Sequence, residues 1–353
     1  MGMPSVNVSF TEKAAQVITR GQRGIVALIL KDAVPSENPF TVLDITDIPG
    51  ALTTANQIQI KLALIGYQNA PKKVICYVLP ANAEDYTDAL EYLETERFDY
   101  LAIPTVDADD MTTDVASWIK SMRQNGKKCK AVLPDCAIDD PGIINHTTEN
   151  IKSTYGDFTA EGYCSRIAGL IAGTPLTISC TYAPLPEVTD CTRMSRSAMD
   201  EAVDDGEFFI FYDGEKVKVA RAINSFLTTT ADKGNQFKKI KIVEAMDMIY
   251  DDITKTTEDS YIGKFSNSYD NKCLLISAIS GYFEQLILDG ILSSASVDID
   301  VTTQRAYIKA SGVDTDDMTD QAIRVYDTDD KVFLKASITI LDAIEEVVLP
   351  INI

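Results

Sequence analysis

Apolar and polar residues alternate at both ends of this chain, whereas its middle moves between strand and helix periods. Leu334, Ala336, Ile338 and Ile340 are separated by Lys335, Ser337 and Thr339, the two-residue period of a half-buried strand. Residues 342–346 are turn-like, and a second alternation follows. Val347, Leu349, Ile351 and Ile353 share one face, with Val348, Pro350 and Asn352 on the other. Val6, Val8 and Phe10 mirror them near the start, fenced off by Gly21-Gln22-Arg23-Gly24. Chain ends are ordinarily polar and loose, so aliphatic residues along one face of a terminal strand imply that something covers that face. Pro350 has no backbone donor, which suits an edge or added strand.

Between the ends, residues 25–30 form a compact apolar run suited to a buried strand. From Thr54 the spacing of Ile58, Leu62 and Ile65 predicts a helix ending near Gly66, before the strand KKVICYVL. The unit then repeats: a helix over 84–96, a strand over 100–104, a helix over 113–124 with Val115, Trp118, Ile119 and Met122 inward, and a strand over 129–133. Strands alternating with helices at this spacing predict parallel pairing in an α/β layer.

The middle is less regular. Residues 160–173 predict a helix whose small residues admit a neighbouring backbone, and Pro175, Pro184 and Pro186 then impose an extended connection. Residues 207–219 predict a hairpin turning at Asp213-Gly214, where Asp-Gly suits positive φ. Long helices are expected over about 237–253 and 271–289, the second stopped by Gly290, with a β-rich remainder from Ser296. The predicted fold class is therefore mixed α/β: layered domains with parallel βαβ units, a β-hairpin, long helices and extended terminal strand arms.

Composition narrows the function classes. At 353 residues and 45% hydrophobic content the chain can bury a substantial core, with length for two or three domain-sized units. Lys and Arg number 32 against 53 Asp and Glu, so the net charge of −21 disfavours nucleic acid and anionic membrane as partners. No apolar run approaches a membrane span, and MGMPSVNVSFTEK lacks the features of a signal peptide, so the expected compartment is the cytoplasm. The seven cysteines include no C-x-x-C pair and are expected to be buried thiols.

Candidate chemistry is sparse. The segments after the predicted strands, Leu79-Pro80-Ala81-Asn82-Ala83 and Pro104-Thr105-Val106-Asp107, carry no glycine to close on a pyrophosphate. Gly169 to Gly173 lacks the lysine and spacing of a P-loop. His146, the single histidine, stands in a polar stretch with no G-x-S-x-G elbow in the chain, and reads as a bystander. The acidic groups at 107–110, 314–317 and 327–330 lack the glycine and distal glutamate of an EF-hand loop and read as solvated turns. Trp118 reads as core. No catalytic, metal or cofactor-binding residues are assigned, and no cofactor is expected.

From the hairpin onward the text runs GEFFIFYDGEKVKVARAINSFLTTT, KGNQFKKIKIVEAMDMIYDDI and YIGKFSNSYDNKCLLISAISGYFEQLILDGIL. These stretches, with the earlier AGLIAGTPLTIS, resemble the tail sheath proteins of contractile phage tails, in the subgroup of defective prophages and R-type bacteriocins. The resemblance covers most of the chain, which is short for that family and shows no large inserted outer domain. It implies a homo-oligomer of hexameric rings stacked in a helical sheath around an inner tail tube, with baseplate and tail terminator proteins as further partners. It also implies assembly in the bacterial cytoplasm and terminal arms inserted as strands into neighbouring subunits. The expected arm residues are Val6, Val8, Phe10, Val347, Leu349, Ile351 and Ile353. The expected division is an N-terminal arm (1–20), an N-terminal α/β region (21–95), a central α/β domain (96–230), a C-terminal domain (231–346) and a C-terminal arm (347–353). An α/β enzyme with an unrecognised site is the alternative reading.

Overall fold

The computed structural model describes residues 17, 18, 20, 21 and 23–352. They form two compact units, one of residues 22–248 with 342–353 and one of residues 249–341 with the segment ending at Gly21. The division falls inside a long helix.

In the larger unit the chain order is β1 (Ile25–Asp32), β2 (Phe40–Val42), α1 (Thr54–Ile65), β3 (Lys73–Pro80), α2 (Thr87–Thr95), β4 (Tyr100–Ala102), α3 (Thr112–Gln124), β5 (Lys130–Pro134) and β6 (Ile143–His146). Then come β7 (Ile151–Ser153), β8 (Gly156–Phe158), α4 (Ala160–Ala172), β9 (Val188–Asp190), α5 (Arg196–Asp204), β10 (Glu207–Phe208), β11 (Ile210–Tyr212), β12 (Val217–Val219) and the start of α6 (Ile240–Ser260). A seven-stranded sheet in the order β10-β6-β5-β4-β1-β3-β2 is its centre, parallel except for β2. Within it β1 stands between β3 and β4.

Both faces of the sheet are covered. Along β1, Val26, Leu28 and Leu30 pack with Ile60 and Leu62 of α1 and Tyr163 and Ile167 of α4. Ile25, Ala27 and Ile29 pack with Ala89 and Leu93 of α2 and Val115 and Ile119 of α3. The apolar run of β1 thus belongs to a strand buried on both sides. The small residues of α4 serve as expected: a Cβ at Gly169 would lie 1.9 Å from the Ala63 carbonyl oxygen of α1. Trp118 is half-buried, stacked on Phe98 at 6.3 Å, with its Nε1 donating to Glu94.

Two local readings need correction. The hairpin is β11–β12 alone, because β10 joins the large sheet. Its turn lies one residue later than expected: Asp213 N donates to the Lys216 carbonyl, and the positive φ belongs to Gly214. Gly214-Glu215 are therefore the central pair, while the Asp213 carboxylate accepts from the Glu215 and Lys216 amides and pairs with Lys218.

The smaller unit holds the rest of α6, α7 (Tyr269–Leu288), β13 (Leu292–Ile299), α8 (Val301–Ala310), α9 (Asp320–Val325) and β14 (Leu334–Ile340). The expected β-rich remainder is therefore an antiparallel pair, β13–β14, with two helices between its strands. Asp300 caps α8 by accepting from Thr303 N, and Gln304 and Ile308, one turn apart, are fully buried. The β-branched Val301, Thr302 and Thr303 had disguised that helix start as strand. Gly21 N and the Tyr282 hydroxyl both donate to Asp252, which ties the N-terminal segment and α7 to α6.

Candidate assembly interface

β14 forms where the first alternation placed it, with Leu334, Ile338 and Ile340 half-buried. Its partner is β13, and the two make a sheet of their own, so each presents an outer edge unpaired among the described residues. Such an edge carries backbone donors and acceptors ready for another strand.

The second alternation forms no strand among the described residues. Val347, Val348, Leu349 and Ile351 are 79%, 92%, 74% and 76% exposed. A short segment has no sheet of its own to join, and Pro350 withholds one of the few donors that would recruit a partner. What remains is a run of aliphatic side chains in solvent, the kind of surface that marks a binding segment. Val6, Val8, Phe10 and Ile353 lie outside the described residues.

The segment just before this run is fastened. Glu345 is gripped from several sides: Thr181 Oγ1 donates to its Oε1 at 2.7 Å, Ser179 Oγ lies 3.5 Å from the same oxygen, and Arg221 Nε donates to Oε2 at 3.2 Å. Lys239 Nζ stands 3.5 Å from Oε2 and also pairs with Asp342, while the Arg221 fork reaches Glu346 at 3.2 Å. These carboxylates hold the Arg221 and Lys239 pKa values above their ordinary range against the opposing effect of burial. The sequence showed only a turn-like acidic stretch here; its basic partners stand more than a hundred positions earlier.

The residues considered for chemistry are structurally occupied. His146 is fully buried on β6, its Nδ1 is 3.1 Å from the Phe208 carbonyl oxygen, and burial lowers its pKa to about 4. In the acidic 107–110 stretch, Lys31 pairs with Asp109 at 2.7 Å, Tyr86 donates to the same carboxylate, and Glu161 accepts the Asp107 and Ala108 amides. Lys309 pairs with Asp316, and Tyr307 donates to Asp329. Among the described residues no group of three His, Cys, Asp or Glu side chains is placed to hold a metal. Six cysteines are buried, but Cys273 is exposed on the outer face of α7, contrary to the expectation for all seven.

The described residues thus combine a mixed α/β body with an exposed aliphatic segment at 347–351. The family models described as phage tail sheath protein central domain and phage tail sheath C-terminal domain match residues 80–225 and 232–353. A tail sheath protein of Clostridium phage phiCD119 is 35% identical over 354 residues, covering 98% of each chain. The chain belongs to the phage tail sheath family and is a structural subunit of contractile tails. Solved structures share the fold: a sheath tail protein from Desulfitobacterium hafniense aligns with TM-score 0.71 at 19% identity, covering 84% of this chain and 94% of that one. The helical sheath of the anti-feeding prophage in its contracted state aligns with TM-score 0.72 at 13% identity, covering 100% and 99%.

Proposed function

We propose that this chain polymerises as stacked hexameric rings around an inner tail tube, and that the sheath contracts to drive the tube through a cell envelope. Neighbouring subunits are linked by strands donated from both termini, and the particle assembles in the bacterial cytoplasm against baseplate, tube and terminator proteins. The observation that carries this reading is the exposed aliphatic run at 347–351, together with the free outer edges of β13 and β14 as strand acceptors. Net charge −21 favours a polar, sparse contact with the tube, in which acidic sheath loops meet basic tube residues.

The energetics suit a linker that engages only in a polymer. Burying Val347, Leu349, Ile351 and Ile353 stabilises by roughly 1.5 to 3 kcal/mol each, ~6 to 12 in all. Ordering a seven-residue backbone costs about 1 to 2 kcal/mol per residue, roughly 7 to 14. The two nearly cancel, so a lone arm binds weakly, and added-strand hydrogen bonds with several arms docking at once tip the balance. Deleting residues 347–353 is the test: a folded subunit that no longer builds connected tubes or rings under the electron microscope supports the reading. Unfolding of the monomer, with normal sheaths from the surviving fraction, overturns it.

A further inference from the structure

We propose that Glu345 is a positioning residue: the latch that holds it sets where the C-terminal arm leaves its own subunit, and opening the latch adds residues 342–346 to the arm's reach. This rests on the donated-arm reading above and specifies how that arm is anchored.

Three observations carry it. First, the hold on residues 342–346 is made by side chains. The last backbone pairing before them is Leu341 N to the Ile291 carbonyl, and no backbone–backbone hydrogen bond reaches the five residues among those described. Second, the hold converges on one group. The Glu345 side chain is only 9% exposed and meets two hydroxyls and two cations, and the chief hydroxyl, Thr181 Oγ1, is itself oriented by the Ala222 amide at 3.0 Å. Third, the flanking positions are unheld: Ile344 is 88% exposed and Val347 79%.

The Arg221 and Lys239 side chains of these pairs are 33% and 27% exposed, so salt reaches and weakens the hold from its cationic side, whereas a strand in a sheet opens only cooperatively. The latch is therefore the first attachment to yield when the arm is pulled. Five released residues lengthen the arm by up to roughly 17 Å, at about 3.3 to 3.6 Å per extended residue. A subunit that moves relative to its neighbour while staying linked gains slack from its own root, without stripping β14 from β13 or the arm from its acceptor.

The test uses unassembled full-length subunits, so that it stands apart from the assembly experiment. Spin labels are placed at Ser197, exposed on α5, and at Val347, exposed and directly beyond the held segment, in a chain carrying Cys273→Ser, and their distance distribution is measured by pulsed electron resonance. The closed latch gives a narrow distribution at low salt. Glu345→Gln keeps an acceptor for the hydroxyls but loses the ion pairs and broadens it. Glu345→Ala broadens it further toward longer distances, by up to roughly 17 Å. About 1 M salt, where the screening length is about 3 Å, reproduces the broadening in the chain with Glu345 intact. The thermal midpoint is measured alongside; if a variant loses its fold, the salt series on the intact residue decides. A distribution already broad at low salt, or one that stays narrow in high salt and in a folded Glu345→Ala chain, overturns the proposal.

Discussion

Lys130 Nζ lies 2.6 Å from Glu244 Oε1, and 2.8 Å from Asp247 Oδ2, so one fully buried lysine of β5 meets two carboxylates on successive turns of α6. Arg23 reaches Glu244 at 3.1 Å, Tyr100 donates to it at 2.5 Å, and Arg123 forks onto Asp247. The cluster fastens the start of α6 to the sheet. Removing the lysine leaves Glu244 with Arg23 and Asp247 with Arg123, so the loss is smaller than the roughly 3 to 5 kcal/mol of a wholly uncompensated buried charge. Lys130→Met is therefore expected to lower the unfolding free energy of the larger unit by about 1 to 3 kcal/mol, checked by urea unfolding.

Acid should weaken the same unit in two stages. His146 has its pKa lowered to about 4 by burial, from an ordinary 6.5. The unfolded chain takes up this proton first, so stability declines as pH falls from 6.5 toward 4. For Glu244, Lys130 and Arg23 outweigh the opposing effect of burial and hold the pKa at about 2, below its ordinary 4.5. Its contribution is present above pH 4.5 and is lost as pH falls toward 2. Each group accounts for on the order of 3 kcal/mol. Chemical denaturation across pH checks this, and His146→Phe should flatten only the upper stage.

Gly169→Ala is expected to destabilise, although alanine is the better helix former. The propensity gain is about 1 kcal/mol, but the new Cβ would lie 1.9 Å from a backbone oxygen of α1, and overpacking of this kind costs roughly 1 to 3 kcal/mol or more. The thermal midpoint checks the sign.

Leu349→Asp combined with Ile351→Asp should leave the subunit's unfolding free energy within about 0.5 kcal/mol of the parent, because both side chains are exposed. The same chain should fail to sediment as tubes. Soluble, folded and unassembled is the expected combination, read by calorimetry and ultracentrifugation.

Cys273 should be the one thiol per native chain that reacts promptly with a disulfide reagent. The other six are buried, and burial raises the Cys129 and Cys191 pKa values to about 11 and that of Cys180 to about 12, away from the reactive thiolate. Counting released chromophore before and after denaturation checks the ratio.

The sequence by itself determined the elements whose pattern is local. The unbroken apolar run of β1, the helical spacing of α1 and α3, the alternation of β14 and the small residues of α4 each state their own burial, because period and side-chain size act within a few residues. The sheath resemblance was likewise carried by contiguous text. Tertiary structure alone decided what depends on distant partners. Nothing local to Glu345 announces Thr181 and Arg221, and nothing local to Glu244 announces Lys130, since a charge finds its partner through space. The turn at Gly214 shifted by one residue because the ladder between β11 and β12, not the Asp-Gly pair, set the register. The aliphatic run at 347–351 shows the same division: its pattern is written in the chain, but its exposure on a single subunit is a property of the fold, which offers it no sheet of its own.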